Sequence, residues 1–356
     1  MFFGVPRGPI LQYAHRAIDK NKFIFPITGL KIAINSIVTI GLIDFVDKEY
    51  LVKNVIDSSL AINHEFNKNF KLVSTFAVVD LKRYGNYKGL CRDGNNSLAL
   101  QLLKQTIGGI YLSIFNKTTN VDCEKRIVIS NKGIHEVDEG LNPYMAIHDN
   151  KSEIYPNTVD EMLIATTSNF DITNIPNVIK ILNKPLKEKN EYEKKICKVL
   201  EVIYSNFNEC YSRERVLKWA IILNYIFRGD NSQKIESTDI GRKLRIIFNV
   251  IEKKEILEQL PKRITSEVKK TKKISDIMID IYSRIRNDLM HGKIDYYTEY
   301  AICDAKDIII LKVVVMELLN IMVKDEYLSS CTSTNEFNNY VEKKETENIE
   351  AHKSSR

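Results

Sequence analysis

Two residues whose types suit chemistry at a phosphate lie close together near residue 290, in the stretch YSRIRNDLMHG at 282–292. His291, with a reference pKa of about 6.5, can take up and release a proton near neutral pH. Arg286 stays protonated, and its planar guanidinium can hold two phosphate oxygens at once. Proton transfer and stabilisation of charge on phosphoryl oxygens are what cleavage of a phosphodiester by a neighbouring hydroxyl requires.

The stretch must be positioned by the helix that precedes it. Apolar residues at Ile277, Ile281 and Ile285 predict an amphipathic helix from about Lys273 to Met290, and the glycine at 292 is a natural helix stop. Four more helices are predicted after residue 190. Their apolar positions are Ile196, Val199, Leu200 and Ile203; Val216, Trp219, Ala220 and Leu223; Leu244, Ile247, Phe248 and Ile251; and nearly every position of 298–323.

The spacing Arg-x-x-x-x-His at the end of a helix, within an all-helical half and followed by glycine, resembles the signature of the HEPN superfamily. The phrase IYSRIRNDLMHG resembles its ApeA-like branch. The likeness covers about residues 190–325. It implies a metal-independent endoribonuclease in which Arg286 and His291 are catalytic and Asn287 orients the histidine or the phosphate. The expected products are a 2′,3′-cyclic phosphate and a 5′-hydroxyl.

The resemblance also implies partners and a role. RNA would be the substrate, the protein would form a homodimer, and a phage or host component could activate it. Enzymes of this kind serve in prokaryotic antiviral defence, including abortive infection, or in toxin systems. No cofactor is implied.

Helix geometry bears on how many copies build the site. At 100° per residue, Arg286 and His291 lie about 140° apart on an ideal helix, whereas Arg284 and His291 are nearly in line. Arg286 and His291 of one copy therefore cannot lie side by side on a continuous helix. Either the helix ends early enough for His291 to turn round, or two copies assemble the site, as the resemblance favours.

Other interpretations of the motif stay open. A histidine at a helix C-terminus suits the macrodipole in its cationic form, and the arginines could pair with Asp280 or Asp288. The bundle would then be a non-catalytic module that binds RNA or a protein. A third alternative places an active site in the first half and leaves the bundle for dimerisation.

A basic segment at 261–273 precedes the motif helix, with six lysines and arginines and one glutamate. Such a segment is suited to phosphate contacts that carry no sequence information. The candidate RNA-binding residues are Arg284, Lys269, Lys270, Lys272, Lys273 and, for stacking on an exposed base, Tyr296. The same lysines could belong to a solvated loop, and the tyrosine could be a packing residue.

The first half predicts a different architecture. Runs rich in β-branched and aromatic residues, bounded by turn residues, predict strands over 72–81, 109–115 and 125–130. Residues 97–107 have a helical pattern between them. No glycine-rich phosphate loop follows these strands, and no internal repeat is visible.

The polar stretch at 183–190 marks the best domain boundary. We therefore expect an α+β protein, in which a mixed α/β domain over 1–185 precedes an all-α HEPN-like bundle over 186–328. The first domain has no assigned role and is a candidate sensor or substrate selector. Low apolar content predicts a disordered tail over 329–356.

Composition and motifs exclude several classes. Hydrophobic residues at 44% and charged residues at 28% are values of an ordinary folded protein. A net charge of +6 permits an anionic partner. No G-x-S-x-G, H-E-x-x-H or Walker-type loop is present, which removes the commonest hydrolase and nucleotidase classes. The acidic and histidine residues at 135–139 and 148–149 lack metal-ligand spacing, so no metal site is expected.

Cysteine use and hydropathy indicate a location. The six cysteines are far apart without a C-x-x-C pair, so we expect reduced, mostly buried thiols. The N-terminus has no signal-peptide pattern. Segments 29–45 and 308–323 are short for a membrane span and contain charges, so we expect core elements and a cytoplasmic protein without membrane association.

Overall fold

A computed structural model of the chain describes residues 22–55, 73–85, 92–117, 127–129, 147–148, 151–152, 175–209, 212–228, 235–249, 274–284 and 305–354. These residues form a small antiparallel sheet and a larger set of helices, which makes the fold α+β as predicted. The strands are β1 (Lys22–Thr28), β2 (Ile37–Ile40), β3 (Ile43–Asp47), β4 (Thr75–Asp80), β5 (Val128–Ile129), β6 (Ile147–His148) and β7 (Lys151–Ser152). The helices are α1 (Lys48–Asn54), α2 (Arg92–Lys117), α3 (Pro176–Asn183), α4 (Glu191–Phe207), α5 (Ser212–Phe227), α6 (Ser237–Asn249), α7 (Ile274–Arg284), α8 (Ala305–Lys324), α9 (Glu326–Ser330) and α10 (Thr334–Ser354).

The chain divides into two compact units. The first comprises Met1–Ile107, Lys125–Asp171 and Leu182–Lys187, and the second comprises Gly108–Glu124, Ile172–Ile181 and Glu188–Arg356. The last crossover between the units lies two residues beyond the boundary predicted at 185. The units also exchange segments before that point, so helix α2 begins in the first unit and ends in the second.

Five strands of the first unit form an antiparallel sheet in the order β2-β3-β4-β1-β5. The strands predicted over 72–81 and 125–130 are confirmed as β4 and β5, whereas β1, β2 and β3 were not predicted. The hairpin of β2 and β3 pairs Ile40 with Ile43 across two residues, of which Gly41 has a φ of 63°. A positive φ at the first turn position matches a type II′ turn, which glycine adopts at little steric cost.

Asp47 caps the N-terminus of helix α1. The Asp47 carboxylate accepts hydrogen bonds from the backbone N–H groups of Glu49, at 2.8 Å, and Tyr50, at 3.2 Å. These bonds satisfy amides that the first helical turn leaves without partners. The helix then adds Leu51 to a core cluster on one face of the sheet, together with Ile24, Val46, Val73, Phe76 and Val78.

Helices make up most of the described second unit. Helix α5 packs against α4, α6, α8 and α10, and α6 packs against α7. The apolar stripes predicted for α4, α5 and α6 are confirmed, apart from the position at 251, which lies outside the described residues. The buried members are Ile196, Val199, Leu200, Ile203, Val216, Trp219, Ala220, Leu223, Leu244, Ile247 and Phe248.

Helix α4 begins directly after the polar stretch at 183–190. The Asn190 side chain accepts a hydrogen bond from the Glu193 backbone N–H at 2.8 Å, and the Glu193 carboxylate accepts one from the Asn190 backbone N–H at 3.1 Å. This reciprocal pair is a capping box. The stretch that predicted a domain boundary therefore also contains a helix start signal.

Helix α8 is the most deeply buried helix of this unit. From residue 307 to residue 323 every position except Ile309 is buried. The prediction of a central helix, apolar nearly all round, is confirmed over Ala305–Lys324.

The strand predicted over 109–115 is wrong, because these residues belong to the 26-residue helix α2. The helix predicted over 97–107 is part of the same element. A Cβ added to Gly108 would lie 2.1 Å from the carbonyl oxygen of Leu200. The glycine therefore allows a close approach between two helix backbones, where its sequence neighbourhood suggested a turn.

The prediction of a disordered tail over 329–356 is also wrong. Helix α10 runs over Thr334–Ser354, and its Phe337 and Val341 are fully buried. The Phe337 ring lies 6.2 Å from that of Tyr192 and 6.0 Å from that of Phe227, between centroids.

Polar contacts also connect α10 to other helices of the second unit. The Lys195 ammonium donates to the Thr334 hydroxyl at 2.5 Å, and the Lys243 ammonium donates to the Asn338 side-chain oxygen at 2.9 Å. Burial lowers the pKa of Lys243. Helix α10 is thus an integral part of the second unit over its first two turns.

Two of the six cysteines, Cys197 and Cys331, lie in the described residues, where both are buried and form no disulfide. The expectation of buried, reduced thiols is confirmed for these two. Burial raises the pKa of the Cys197 thiol from 9.0 to about 11. The other four cysteines lie outside the described residues.

We expect Cys197 to react with iodoacetamide at pH 8 about 100-fold more slowly in the folded chain than in denaturant. Only the thiolate reacts, and at pH 8 a thiol with a pKa of about 11 has about 100-fold less thiolate than one with a pKa of 9.0. Residue-resolved mass spectrometry after timed alkylation measures both rates. Equal rates in native buffer and in denaturant would contradict the burial of this thiol.

Candidate functional site

The motif helix is confirmed over Ile274–Arg284, where α7 is described. Arg284 is its last described residue. Arg286, Asn287 and His291 lie outside the described residues. So do the remaining candidate RNA-binding residues, namely Lys269, Lys270, Lys272, Lys273 and Tyr296.

Helix α7 holds its place in the second unit through one buried stripe. Met278, Ile281 and Tyr282 are at most 1% exposed and follow the i, i+3, i+4 spacing of one helix face. This face packs against α6. The observed stripe includes Ile281 as predicted but is centred between Met278 and Tyr282, so it is rotated from the predicted isoleucine row.

An ion pair also joins α7 to α6. The Arg245 guanidinium lies 3.7 Å from the Asp276 carboxylate, and both side chains are nearly half exposed. Exposed pairs contribute at most about 1 kcal/mol, so apolar packing provides most of the attachment.

Covalent geometry limits where the motif arginine can be. Arg286 lies two residues beyond Arg284, the last described residue of α7, and two residues span at most about 7 Å. The Arg286 Cα therefore lies within about 7 Å of the Arg284 Cα. The chain then enters the buried helix α8 at Ala305.

Sequence reasoning missed a set of polar residues inside α8. Asp307, Lys312, Glu317 and Asn320 are all less than 9% exposed. The Lys312 ammonium lies 4.9 Å from the centre of the Phe207 ring, a cation–π contact. The signal was present in the sequence, because buried charges need partners and these four residues interrupt an otherwise apolar run.

Two of these residues line a cavity of about 280 Å³ among α6, α8, α9 and α10. Glu317 and Asn320 of α8 line the cavity, and so does Tyr340 of α10. Burial and the nearby Asp325 carboxylate raise the pKa of Tyr340, so its phenol stays protonated at neutral pH. Tyr340 belongs to the segment predicted as a disordered tail, which is why the cavity was not foreseen.

No group of three or more His, Cys, Asp or Glu side chains is placed to hold a metal ion in the described ranges. One described helical segment, Ser97–Phe115, is long and apolar enough to cross a membrane, and 72% of it is buried inside the protein.

Comparison with known proteins gives no further assignment. No protein-family model, no curated protein and no solved structure matches the chain.

Proposed function

We propose that the protein is a metal-independent endoribonuclease of HEPN type. The observation that carries the proposal is the place of the motif in the chain. The Arg-Asn-x-x-x-His sequence follows, within two residues, a helix anchored by Met278, Ile281 and Tyr282, and it precedes a buried helix. Sites carried on packed helices are held more precisely than sites on loops, which supports a catalytic role for residues that follow α7 so closely in the chain.

The proposed reaction is an internal transesterification. The 2′-oxygen of a ribose attacks the adjacent phosphorus, the new O–P bond forms, and the bond from phosphorus to the 5′-oxygen breaks. The 2′-hydroxyl gives up its proton and the departing 5′-oxygen gains one, and His291 moves protons in this exchange. The Arg286 guanidinium stabilises the charge on the non-bridging oxygens, and Asn287 orients the histidine or the phosphate.

RNA binding draws on the basic residues around the motif. Arg284, Lys269, Lys270, Lys272 and Lys273 would contact phosphates, and Tyr296 would stack on a base. The proposed active form is a homodimer in which two motifs share one cleft. This arrangement resolves the angle of about 140° between Arg286 and His291 on an ideal helix.

The proposed biological role follows the same resemblance. Cleavage of cellular RNA by a cytoplasmic toxin or antiviral nuclease would stop growth, and a phage or host component would release the activity. The first unit, with its antiparallel sheet, is the proposed sensor or substrate selector.

The test is incubation of the purified full chain with total RNA in excess chelator. We expect cleavage to continue, because neither residue of the proposed pair needs a metal ion. The fragments should carry 2′,3′-cyclic phosphate ends that block polyadenylation and 5′-hydroxyl ends that accept phosphate from a polynucleotide kinase.

Two results would contradict the nuclease. Cleavage that stops in chelator and leaves 3′-hydroxyl ends would indicate a metal-dependent enzyme. A chain that is inert both alone and with infected-cell extract, while still binding RNA or a protein, would favour the non-catalytic HEPN module.

A further inference from the structure

The cavity among α6, α8, α9 and α10 has a size that suits one small ring system. Its volume of about 280 Å³ corresponds to roughly nine water molecules. Pockets for drug-sized ligands begin near 300 Å³. A single nucleotide fits this range, with its phosphate outside, whereas a folded polymer does not.

The inner wall of the cavity is polar and fixed. Glu317 and Asn320 stand three residues apart on α8, where they share a helix face, and they are 8% and 3% exposed. A carboxylate has about four acceptor sites and an amide group both donates and accepts. An existing contact of either side chain therefore leaves capacity for a ligand.

The remaining walls are aliphatic and aromatic. Ile247, Ile321 and Val341 line the cavity with flat apolar surface. Tyr340 also lines it, and its ring is stacked on that of Tyr327 with 4.8 Å between centroids and 23° between planes. Tyr327 is 54% exposed, so the stacked pair extends aromatic surface from the cavity to solvent.

Two lysines stand at the same cavity. Lys324 is exposed at the end of α8, and the Lys344 ammonium lies 2.8 Å from the Glu347 carboxylate and 5.7 Å from the centre of the Tyr340 ring. Asp325 is engaged at the start of α9, where its carboxylate accepts a hydrogen bond from the Leu328 N–H at 2.8 Å. The lining thus combines a buried carboxylate, a planar aromatic surface and two lysines, of which Lys324 is exposed and Lys344 is half-buried.

This combination selects a ligand chemistry. A simple anion would meet the Glu317 carboxylate, a polyamine would meet the two lysines, and an aliphatic ligand would form no hydrogen bond with Glu317 or Asn320. A guanine base is planar, offers two adjacent N–H donors to a carboxylate and offers acceptors to an amide. Its phosphate would reach the lysines outside.

We infer that this cavity binds a guanine nucleotide, with the base against Glu317 and Asn320 and the phosphate at Lys324 and Lys344. The site lies outside the proposed catalytic motif, and binding there does not rest on the nuclease activity. The nucleotide is either free in solution or an unpaired guanosine of an RNA, since both present the same base and phosphate.

Calorimetric titration of the full chain with GMP, AMP and guanosine tests the inference. We expect GMP to bind at least about 10-fold more tightly than AMP, and Glu317→Gln to weaken GMP about 10- to 100-fold, as loss of a charged hydrogen-bond acceptor does. Glu201→Gln on α4 is the matched control, because Glu201 pairs with Lys198 away from the cavity. It should bind GMP like the unaltered chain.

A variant at the two lysines keeps the test independent of folding, because neither side chain belongs to the buried core. Lys324→Ala combined with Lys344→Ala should remove most of the advantage of GMP over guanosine. No heat of binding with millimolar GMP, equal binding of GMP and AMP, or equal effects of Glu317→Gln and Glu201→Gln would overturn the inference.

Competition separates the two sources of the nucleotide. The His291→Ala chain, which should not cut RNA, is loaded with a short single-stranded RNA that contains guanosine or with one of uridine alone. Displacement of only the first RNA by GMP identifies an RNA guanosine as the occupant. GMP binding that neither RNA affects identifies the free nucleotide.

Discussion

Replacing His291 with alanine is expected to lower the rate of RNA cleavage by about 10²- to 10⁴-fold, the usual contribution of a general acid–base group. Initial rates on a defined single-stranded RNA, in chelator, measure the loss. His352→Ala is the matched control, because His352 lies in the last turns of α10 and outside the motif. Activity that survives His291→Ala would contradict the proposed site and direct attention to the first unit.

Arg286→Ala should lower the rate by about 10²- to 10³-fold, as removal of a group that stabilises transition-state charge does. Arg286→Lys should restore little, because an ammonium cannot replace the bidentate guanidinium. Arg245→Ala controls for loss of a positive charge nearby, since Arg245 pairs with Asp276 on the surface of α6 and α7. A rate equal in Arg286→Ala and Arg245→Ala would contradict a catalytic role for the motif arginine.

A mixture of the two inactive variants shows how the site is built. If each site takes its arginine from one copy and its histidine from the other, a heterodimer of Arg286→Ala and His291→Ala contains one intact site. In an equal mixture with random pairing, about half of the dimers are heterodimers, and each heterodimer has one intact site of two. The mixture should therefore restore about a quarter of the unaltered rate. A mixture as inactive as its components would show that both groups act from the same copy.

Much of the fold could be predicted from periodicity alone. Helices α4 to α7 present apolar stripes over several turns, and α8 is apolar nearly all round. Periodic or continuous apolar surface of this kind predicts a buried helix. The same holds for β4, whose residues Phe76 to Val79 are a short, fully buried run. These predictions depended only on neighbours in sequence.

The errors arose where contacts distant in sequence decide the structure. The segment 109–115 has β-branched and aromatic residues, but it is helical, and Gly108 in the same helix lets the Leu200 backbone approach closely. Helix α10 has few apolar residues, and its anchors include Lys195 and Lys243 on other helices. No local pattern shows partners about a hundred residues away.

The candidate motif, unlike α10, could be recognised from local sequence. Its residue types and spacing are a local property, so the sequence suffices to name Arg286 and His291. The polar lining of the cavity is not local, because it combines Glu317 and Asn320 of α8 with Tyr340 of α10. Only the folded arrangement of these helices brings them to one place.

Replacing Phe337 with alanine is expected to lower the free energy of unfolding of the second unit by about 3–5 kcal/mol, the usual cost of removing a buried aromatic ring. Phe337 is fully buried beside the rings of Tyr192 and Phe227. The chain has one tryptophan, Trp219, which is 1% exposed in the same unit. Its fluorescence during denaturant unfolding therefore reports the transition directly.

Ile349→Ala is the matched control on the same helix, because Ile349 is 51% exposed and its replacement should change stability by no more than about 0.5 kcal/mol. The contrast distinguishes a docked helix from a helix that forms without support. If Phe337→Ala changed the free energy of unfolding, as reported by Trp219 fluorescence, no more than Ile349→Ala does, α10 would contribute nothing to the core. The cavity would then lose its Tyr340 and Val341 wall, so this result would also remove the structural basis for nucleotide binding.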